Sequence, residues 1–182
     1  EKPFLKRNEL PPIDDILIYH DQYDHLERRT NQHFKQTKTR FIVPLGVSAY
    51  LQGWGIDASR ITELDWWEET VFQDLIISCT PSQHFSGRRG PKGNKTLWAS
   101  WTVLGKRERF FFSGDSGYDT HFEEIGKKYG PFDVVFIESG QYNPIWPMSH
   151  MFPSESVSAA VDLGAKAIQP IHWGMFKLST HD

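Results

Sequence analysis

Four times along this chain a short apolar run stops, and a histidine or an aspartate stands just beyond it. Residues 16–19 precede His20, residues 75–80 with Pro81-Ser82-Gln83 precede His84, residues 110–113 with Gly114 precede Asp115, and residues 167–171 precede His172. An apolar run of this length reads as a buried strand. Strand ends at one edge of a layered fold converge on one cavity, so ligands distant in sequence can meet in space. Taken singly, a histidine after a strand is an ordinary hydrogen-bonded side chain and an aspartate beside glycine is a turn former. The repetition, together with the dense run His20-Asp21-Gln22-Tyr23-Asp24-His25, points instead to a metal centre. Gln22 stands where a ligand cluster of this spacing would place a further imidazole.

The remaining composition is compatible with this and excludes several other classes. A chain of 182 residues, 38% apolar and 14% aromatic, suits one domain with a real core, and no run approaches the ~20 apolar residues of a membrane span. The net charge of −3 provides no field that would collect polyanions, so no nucleic-acid partner is expected. Cys79 is the only cysteine, which excludes an internal disulfide and a Cys-rich zinc site and fits a reducing compartment. No signal-peptide pattern is readable at the amino end. A cytoplasmic or peripheral-membrane location is expected in preference to a secreted one.

Short strands and amphipathic segments alternate along the chain. Residues 1–14, with several prolines and cations, read as an irregular lead-in. Strands are expected at 16–19, 41–44, 61–64, 70–72, 75–79, 96–104, 109–113, 134–137 and 167–171, with a hairpin turn at 105–107. Helices are expected at 49–54 with Ser48 as cap, at 121–129 with Thr120 as cap, and from Pro153 to near Gly164. No repeat, low-complexity tract or long linker divides the chain. The expectation is an α/β fold in one domain spanning 1–182.

Imidazole and carboxylate ligands suit zinc, manganese or iron, and a single cysteine leaves no thiolate alternative. Two ions sharing a carboxylate would hold a hydroxide between them, because coordination lowers the pKa of water to ~7. Asp115 is the best candidate for the shared bridge, its Gly-flanked loop letting the two oxygens face different ions. Hydrolysis follows. The loop from Arg88 to Lys95 places Arg88, Arg89, Lys92 and Lys95 close after His84, which suits an anionic substrate group. Trp146, between Pro144 and Pro147, is a candidate for lining an acyl pocket.

His20-x-Gln22-x-Asp24-His25 resembles the His-x-His-x-Asp-His signature of the metallo-β-lactamase fold superfamily, with His84, Asp115 and His172 in the order of its later ligands. The flanking segments are narrower still: Thr80-Pro81-Ser82-Gln83-His84, Asn94-Lys95-x-Leu97-Trp98-x-Ser100-Trp101, Phe112-x-Gly114-Asp115-Ser116-Gly117-Tyr118, Phe122-Glu123-Glu124-Ile125-Gly126, Gly130-Pro131-Phe132-Asp133 and Ile171-His172-Trp173-Gly174. From about Leu10 to Phe176 the chain is similar to N-acylphosphatidylethanolamine-hydrolysing phospholipase D and its bacterial relatives.

The resemblance implies an αββα sandwich and one or two divalent ions, zinc first with manganese or iron as alternatives. One ion would be held by His20, position 22 and His84, a second by Asp24, His25 and His172, with Asp115 between them. It implies cleavage of a phosphodiester, phospholipase D-like, by a metal-bound hydroxide, with Asp24 and His150 as catalytic groups. His150 also falls near the substrate phosphate, where it would stabilise charge or protonate the leaving oxygen. The implied substrate is a small molecule or phospholipid, and peripheral membrane contact would follow from the latter. Arg88, Trp146 and His150 form the substrate-binding set. Two departures matter. Gln22 offers a neutral amide oxygen in place of imidazole, which weakens the first metal site and leaves a catalytically weakened binding module as an alternative; a lactone-opening hydrolase is the other, because related members of the superfamily use similar centres on cyclic esters. Only nineteen residues precede His20 and ten follow His172, so the chain reads as a core fragment, truncated at both ends.

Overall fold

The computed structural model describes residues 6–88, 93–174 and 179. Arg89 and Lys92 of the expected basic loop lie outside these residues. The chain divides into two compact units, the first made of residues 1–65 and 86–98, the second of residues 66–85 and 99–182. Among the described residues, no helix is long and apolar enough to cross a membrane.

The first unit is built on three parallel strands in the order β1 (Asp15–Leu17), β2 (Arg40–Pro44) and β3 (Ile61–Leu64). The central strand carries Phe41, Ile42 and Val43, all buried, as a parallel strand covered on both faces requires. Around it pack Ile18, Leu26, Phe34, Val47, Leu51 and Ile56. Helix α1 (Arg28–His33) was not expected from the sequence. Its residues, RRTNQH, show no apolar stripe; it is started instead by Glu27, whose carboxylate accepts the backbone N–H groups of Arg29 and Thr30 at 2.9 and 2.6 Å. Helix α2 (Ser48–Gly53) appears as expected, but Ser48 does not cap it. The Ser48 N–H donates to the Glu63 carboxylate at 2.9 Å, and Val47 occupies the cap position.

The second unit is a six-stranded sheet in sequence order: β4 (Glu69–Phe72), β5 (Leu75–Thr80), β6 (Ser100–Leu104), β7 (Arg109–Phe112), β8 (Val134–Glu138) and β9 (Ile168–Ile171). The pairs β4–β5, β5–β6 and β6–β7 are antiparallel; β7–β8 and β8–β9 are parallel. Strands β5, β7, β8 and β9 therefore all run in one direction and end at one edge. The expected strand over 96–104 begins only at Ser100.

Helices α3 (His121–Tyr129) and α4 (Pro153–Asp162) lay Phe122, Ile125, Tyr129, Ala159 and Ala160 into a core with Phe111, Phe132, Val135 and Ile137. Phe111 is its centre, with ring centroids 5.7 Å from Phe132 and 6.1 Å from Phe122. The Thr120 side chain makes no capping bond to α3, whose first turn is complemented by Glu123 and Glu124. Pro153 opens α4, and the Glu155 carboxylate reaches back to the Phe152 N–H at 2.8 Å, half of a capping box.

Candidate metal centre

Each unit carries its own group of ligand-type side chains. In the first unit they come from the single turn that follows β1. The N–H groups of His25 and Leu26 donate to the Gln22 carbonyl at 3.1 and 2.8 Å, folding the turn so that the His20 and His25 rings face edge to face with centroids 4.9 Å apart. His20 is fully buried. Asp24 sits beside His25, with Oδ2 3.2 Å from Nε2, and the Tyr19 hydroxyl bonds His25 Nδ1. The Gln22 N–H donates to His20 Nδ1 at 3.2 Å. Nδ1 is thus an acceptor, which leaves the proton of a neutral imidazole on Nε2.

This turn is fastened by two groups. Asp21, almost wholly buried, accepts the backbone N–H groups of Gly87 and Arg88 at 2.9 and 3.3 Å and the Tyr50 hydroxyl at 3.2 Å. Arg88 donates from Nε to the Asp21 carbonyl at 2.7 Å and from Nη2 to the Leu26 carbonyl. Its guanidinium lies over the rings of Tyr23, Trp54 and Tyr50, at 4.1, 5.3 and 5.4 Å from their centroids. Arg88, expected to meet a substrate anion, is here a strut inside its own unit.

In the second unit the ligand-type groups come from separate strand ends. His84 follows β5, Asp115 follows β7 and His172 follows β9. Asp115 Oδ1 lies 2.7 Å from His172 Nδ1, and Asp115 Oδ2 lies 3.8 Å from His84 Nε2. His84 Nδ1 sits 3.1 Å from the Ser149 carbonyl, which can only accept. Nδ1 must carry the proton, and Nε2 turns its lone pair toward Asp115, the orientation that a metal-binding imidazole needs. Two imidazoles and a carboxylate in a buried cluster match the donor preferences of zinc, iron or manganese. These three residues fit such an ion.

Backbone geometry holds the cluster. Gly114 takes φ of +58°, permitting the tight exit from β7. An isolated bridge joins Gln83 to Gly117, and the Gln83 N–H donates to Ser116 Oγ at 2.9 Å, tying the approach to His84 to the loop that carries Asp115. His172 has φ of +63°, a strained value for a residue with a Cβ. Gly140 allows it: a Cβ there would fall 2.0 Å from the His172 carbonyl oxygen. Behind Ser116, its Oγ 3.3 Å from Nε2, lies His121, held by burial in its neutral form with a pKa lowered to about 4.

His150 lies beside the cluster, its ring centroid 5.4 Å from that of His84. Its Nδ1 is 3.3 Å from Oε2 of Glu138, the fully buried last residue of β8. Burial raises the Glu138 pKa to about 7, against the opposing pull of His150. Sequence reading ended this strand at Ile137 and missed Glu138; the available signal was a carboxylate at a fifth apolar-run terminus. Trp146 is half-buried, its Nε1 donating to the Gln141 carbonyl at 2.7 Å.

Residues 1–173 match the family model described as a beta-lactamase superfamily domain. The chain is 43% identical over 176 residues to an uncharacterised Mycobacterium tuberculosis protein, covering 94% of this chain and 47% of that one. It is 39% identical over 194 residues to N-acyl-phosphatidylethanolamine-hydrolyzing phospholipase D 1 of Caenorhabditis elegans, covering 98% of this chain and 53% of that one. The chain thus spans about half the length of the curated relatives it matches. Igni18, a metallo hydrolase from Ignicoccus hospitalis, superposes with a TM-score of 0.71 at 18% identity over 90% of this chain and 65% of that one. The coverage by the family model, the two relatives and the shared architecture lead to one conclusion: this chain belongs to the beta-lactamase superfamily and has the metallo-β-lactamase fold.

Proposed function

We propose that the chain forms the catalytic core of a metal-dependent phosphodiesterase of phospholipase D type, acting on a phospholipid head group or a smaller phosphodiester. The observation that carries this reading is the second-unit cluster, in which Ser149 fixes the His84 tautomer and Asp115 stands between His84 and His172. The similarity to the C. elegans phospholipase supplies the reaction class.

In this reading His84, Asp115 and His172 would be the metal ligands of the second unit, and His20, Gln22, Asp24 and His25 those of the first. The chemistry a divalent ion would supply, when bound, is Lewis acidity toward the phosphoryl oxygen and a water of lowered pKa, ~7. The chain's own residues do the rest. Asp115 neutralises cationic charge in the buried cluster. Asp24, on the exposed side of the first turn, orients the attacking water. His150, beside His84, meets the phosphoryl oxygens or protonates the leaving alcohol. Zinc is the first choice of ion, with manganese or iron as alternatives. Peripheral contact with a lipid surface is supported by the bare apolar side chains near His150 and His172: Ile145 is 81% exposed and Trp173 67%.

One observation favours a weakened first site. Gln22 offers a neutral amide oxygen, a poorer donor to a divalent ion than imidazole. The test is hydrolysis of bis(p-nitrophenyl) phosphate and of a simple lactone side by side, each with added zinc or manganese. Phosphodiester cleavage is expected; lactone opening without it would replace the proposal by a lactonase. Inertness toward both, with full metal content, would favour a binding module.

A further inference from the structure

Glu138 stands where negative charge is costly, fully buried at the end of β8, and both ends of the residue are fixed. Its N–H donates to Ser113 Oγ at 3.0 Å and its carbonyl accepts the Ser156 hydroxyl at 2.8 Å. The carboxylate is divided between two partners. Oε1 accepts the Met151 N–H at 2.6 Å, and Oε2 faces His150 Nδ1 at 3.3 Å. The Met151 N–H would be served equally by a neutral amide oxygen, so the charge answers to the imidazole. Residues 149–151 thus form one short support: the Ser149 carbonyl orients His84, the His150 ring lies against that ligand, and the Met151 N–H anchors the segment to Glu138.

We infer that Glu138 is the positioning residue of His150, holding it as the Nδ1–H tautomer so that Nε2 is the nitrogen offered to an anionic ester. A carboxylate behind an imidazole fixes its tautomer and stabilises the imidazolium. With Nδ1 bonded to Glu138, the protonated ring gives its Nε2 proton to the leaving oxygen as the attacking water's oxygen bonds to phosphorus, the ester phosphorus–oxygen bond breaks and that bond's electron pair moves to the leaving oxygen; the ring remains neutral with Nδ1–H still on Glu138. This catalytic part rests on the phosphodiesterase reading above. The positioning part does not.

The substitution that separates them is Glu138→Gln. The Met151 N–H demands the amide oxygen, so the amide NH2 is turned toward His150 Nδ1 and a donor replaces the acceptor. The prediction is inversion of the tautomer to Nε2–H. It is read by nitrogen NMR of ring-labelled histidine in the intact protein, without metal, at mildly alkaline pH. Wild-type protein must show His150 as Nδ1–H; finding Nε2–H there overturns the inference with no variant needed, as does a His150 signal unchanged in Glu138→Gln. With zinc bound, Glu138→Gln is expected to lower kcat on bis(p-nitrophenyl) phosphate by about 10²–10⁴-fold with KM changed by less than about threefold and zinc content retained. A rise in KM with kcat unchanged overturns the proton-transfer role. Tautomer inversion in a protein whose wild type is inert toward phosphodiesters upholds the positioning and removes the phosphodiesterase reading alone.

Discussion

The two units place their ligand-type side chains by opposite means. In the first, His20, Asp24 and His25 lie within one turn, and the problem is to keep a short stretch in shape; buried Asp21 within it and the aromatic-boxed Arg88 do this. In the second, His84, Asp115, Glu138 and His172 stand at or just beyond the ends of four strands that run in one direction, and the sheet itself is the frame. The first arrangement is vulnerable at the strut and the second at the core. A local cluster therefore depends on a few polar clamps, whereas a distributed one inherits the rigidity of everything that packs beneath it.

Substitutions can break or sharpen that contrast. The largest effect is expected for Asp115→Ala, which removes the carboxylate at the centre of the distributed cluster: turnover of bis(p-nitrophenyl) phosphate should fall by about 10³-fold or more, with metal content by elemental analysis dropping in parallel. Next is Phe111→Ala beneath the same cluster, expected to destabilise the protein by about 3–5 kcal/mol in urea unfolding. Loss of less than about 1 kcal/mol would mean that the frame does not depend on this aromatic centre.

The pH dependence of the second unit contains two opposed contributions. Glu138 keeps its proton in the folded protein up to about 7, whereas the unfolded chain releases it near 4.5, so the native state holds the extra proton between those values and stability falls as pH rises. His121 is the reverse: the unfolded chain takes up a proton near 6.5 and the folded one only near 4, so stability falls as pH drops. Each is worth on the order of 3 kcal/mol, and they largely cancel where they overlap. Urea unfolding followed from pH 4 to 8 should show His121→Gln losing stability as pH rises from about 4.5 to 7, and Glu138→Gln losing stability as pH drops from about 6.5 to 4, each slope offset in the wild type by the group that was removed; identical profiles in all three proteins would refute both assignments.

The first unit should respond more modestly. Arg88→Met removes two carbonyl contacts and three ring contacts while keeping apolar volume, and about 2 kcal/mol is expected, with faster hydrogen exchange at His25 and Leu26 and unchanged exchange in β8. The smallest change is a gain. Gln22→His should raise metal affinity by about tenfold, measured by competition with a chelator, and no gain would show that the missing imidazole does not set the limit.

What the sequence disclosed follows the same division. Strands β2, β3, β5, β7 and β8 were legible because buried strands write themselves as apolar runs, and helix α3 because its polar and apolar residues alternate at helical spacing. The residues after those strands followed at once. Helix α1 was not legible, since its start depends on a glutamate outside it and its own residues are polar throughout. Glu138 was hidden by its position at the end of an apolar run, where a carboxylate reads as the first loop residue. The box around Arg88 joins residues more than thirty positions apart, and the bond from the Ser149 carbonyl to His84 is a backbone interaction that no side-chain pattern announces.

The common direction of β5, β7, β8 and β9 has one more effect. Among the described residues, His84, Asp115, Glu138 and His172 stand at or just beyond the ends of these strands, along a single rim, while Phe111, Phe122 and Phe132 cohere on the sheet's face below. Segments along that rim can be lengthened, shortened or exchanged without disturbing what makes the protein fold. Inheritance of the scaffold and invention of new substrates are thereby assigned to different parts of the same polypeptide.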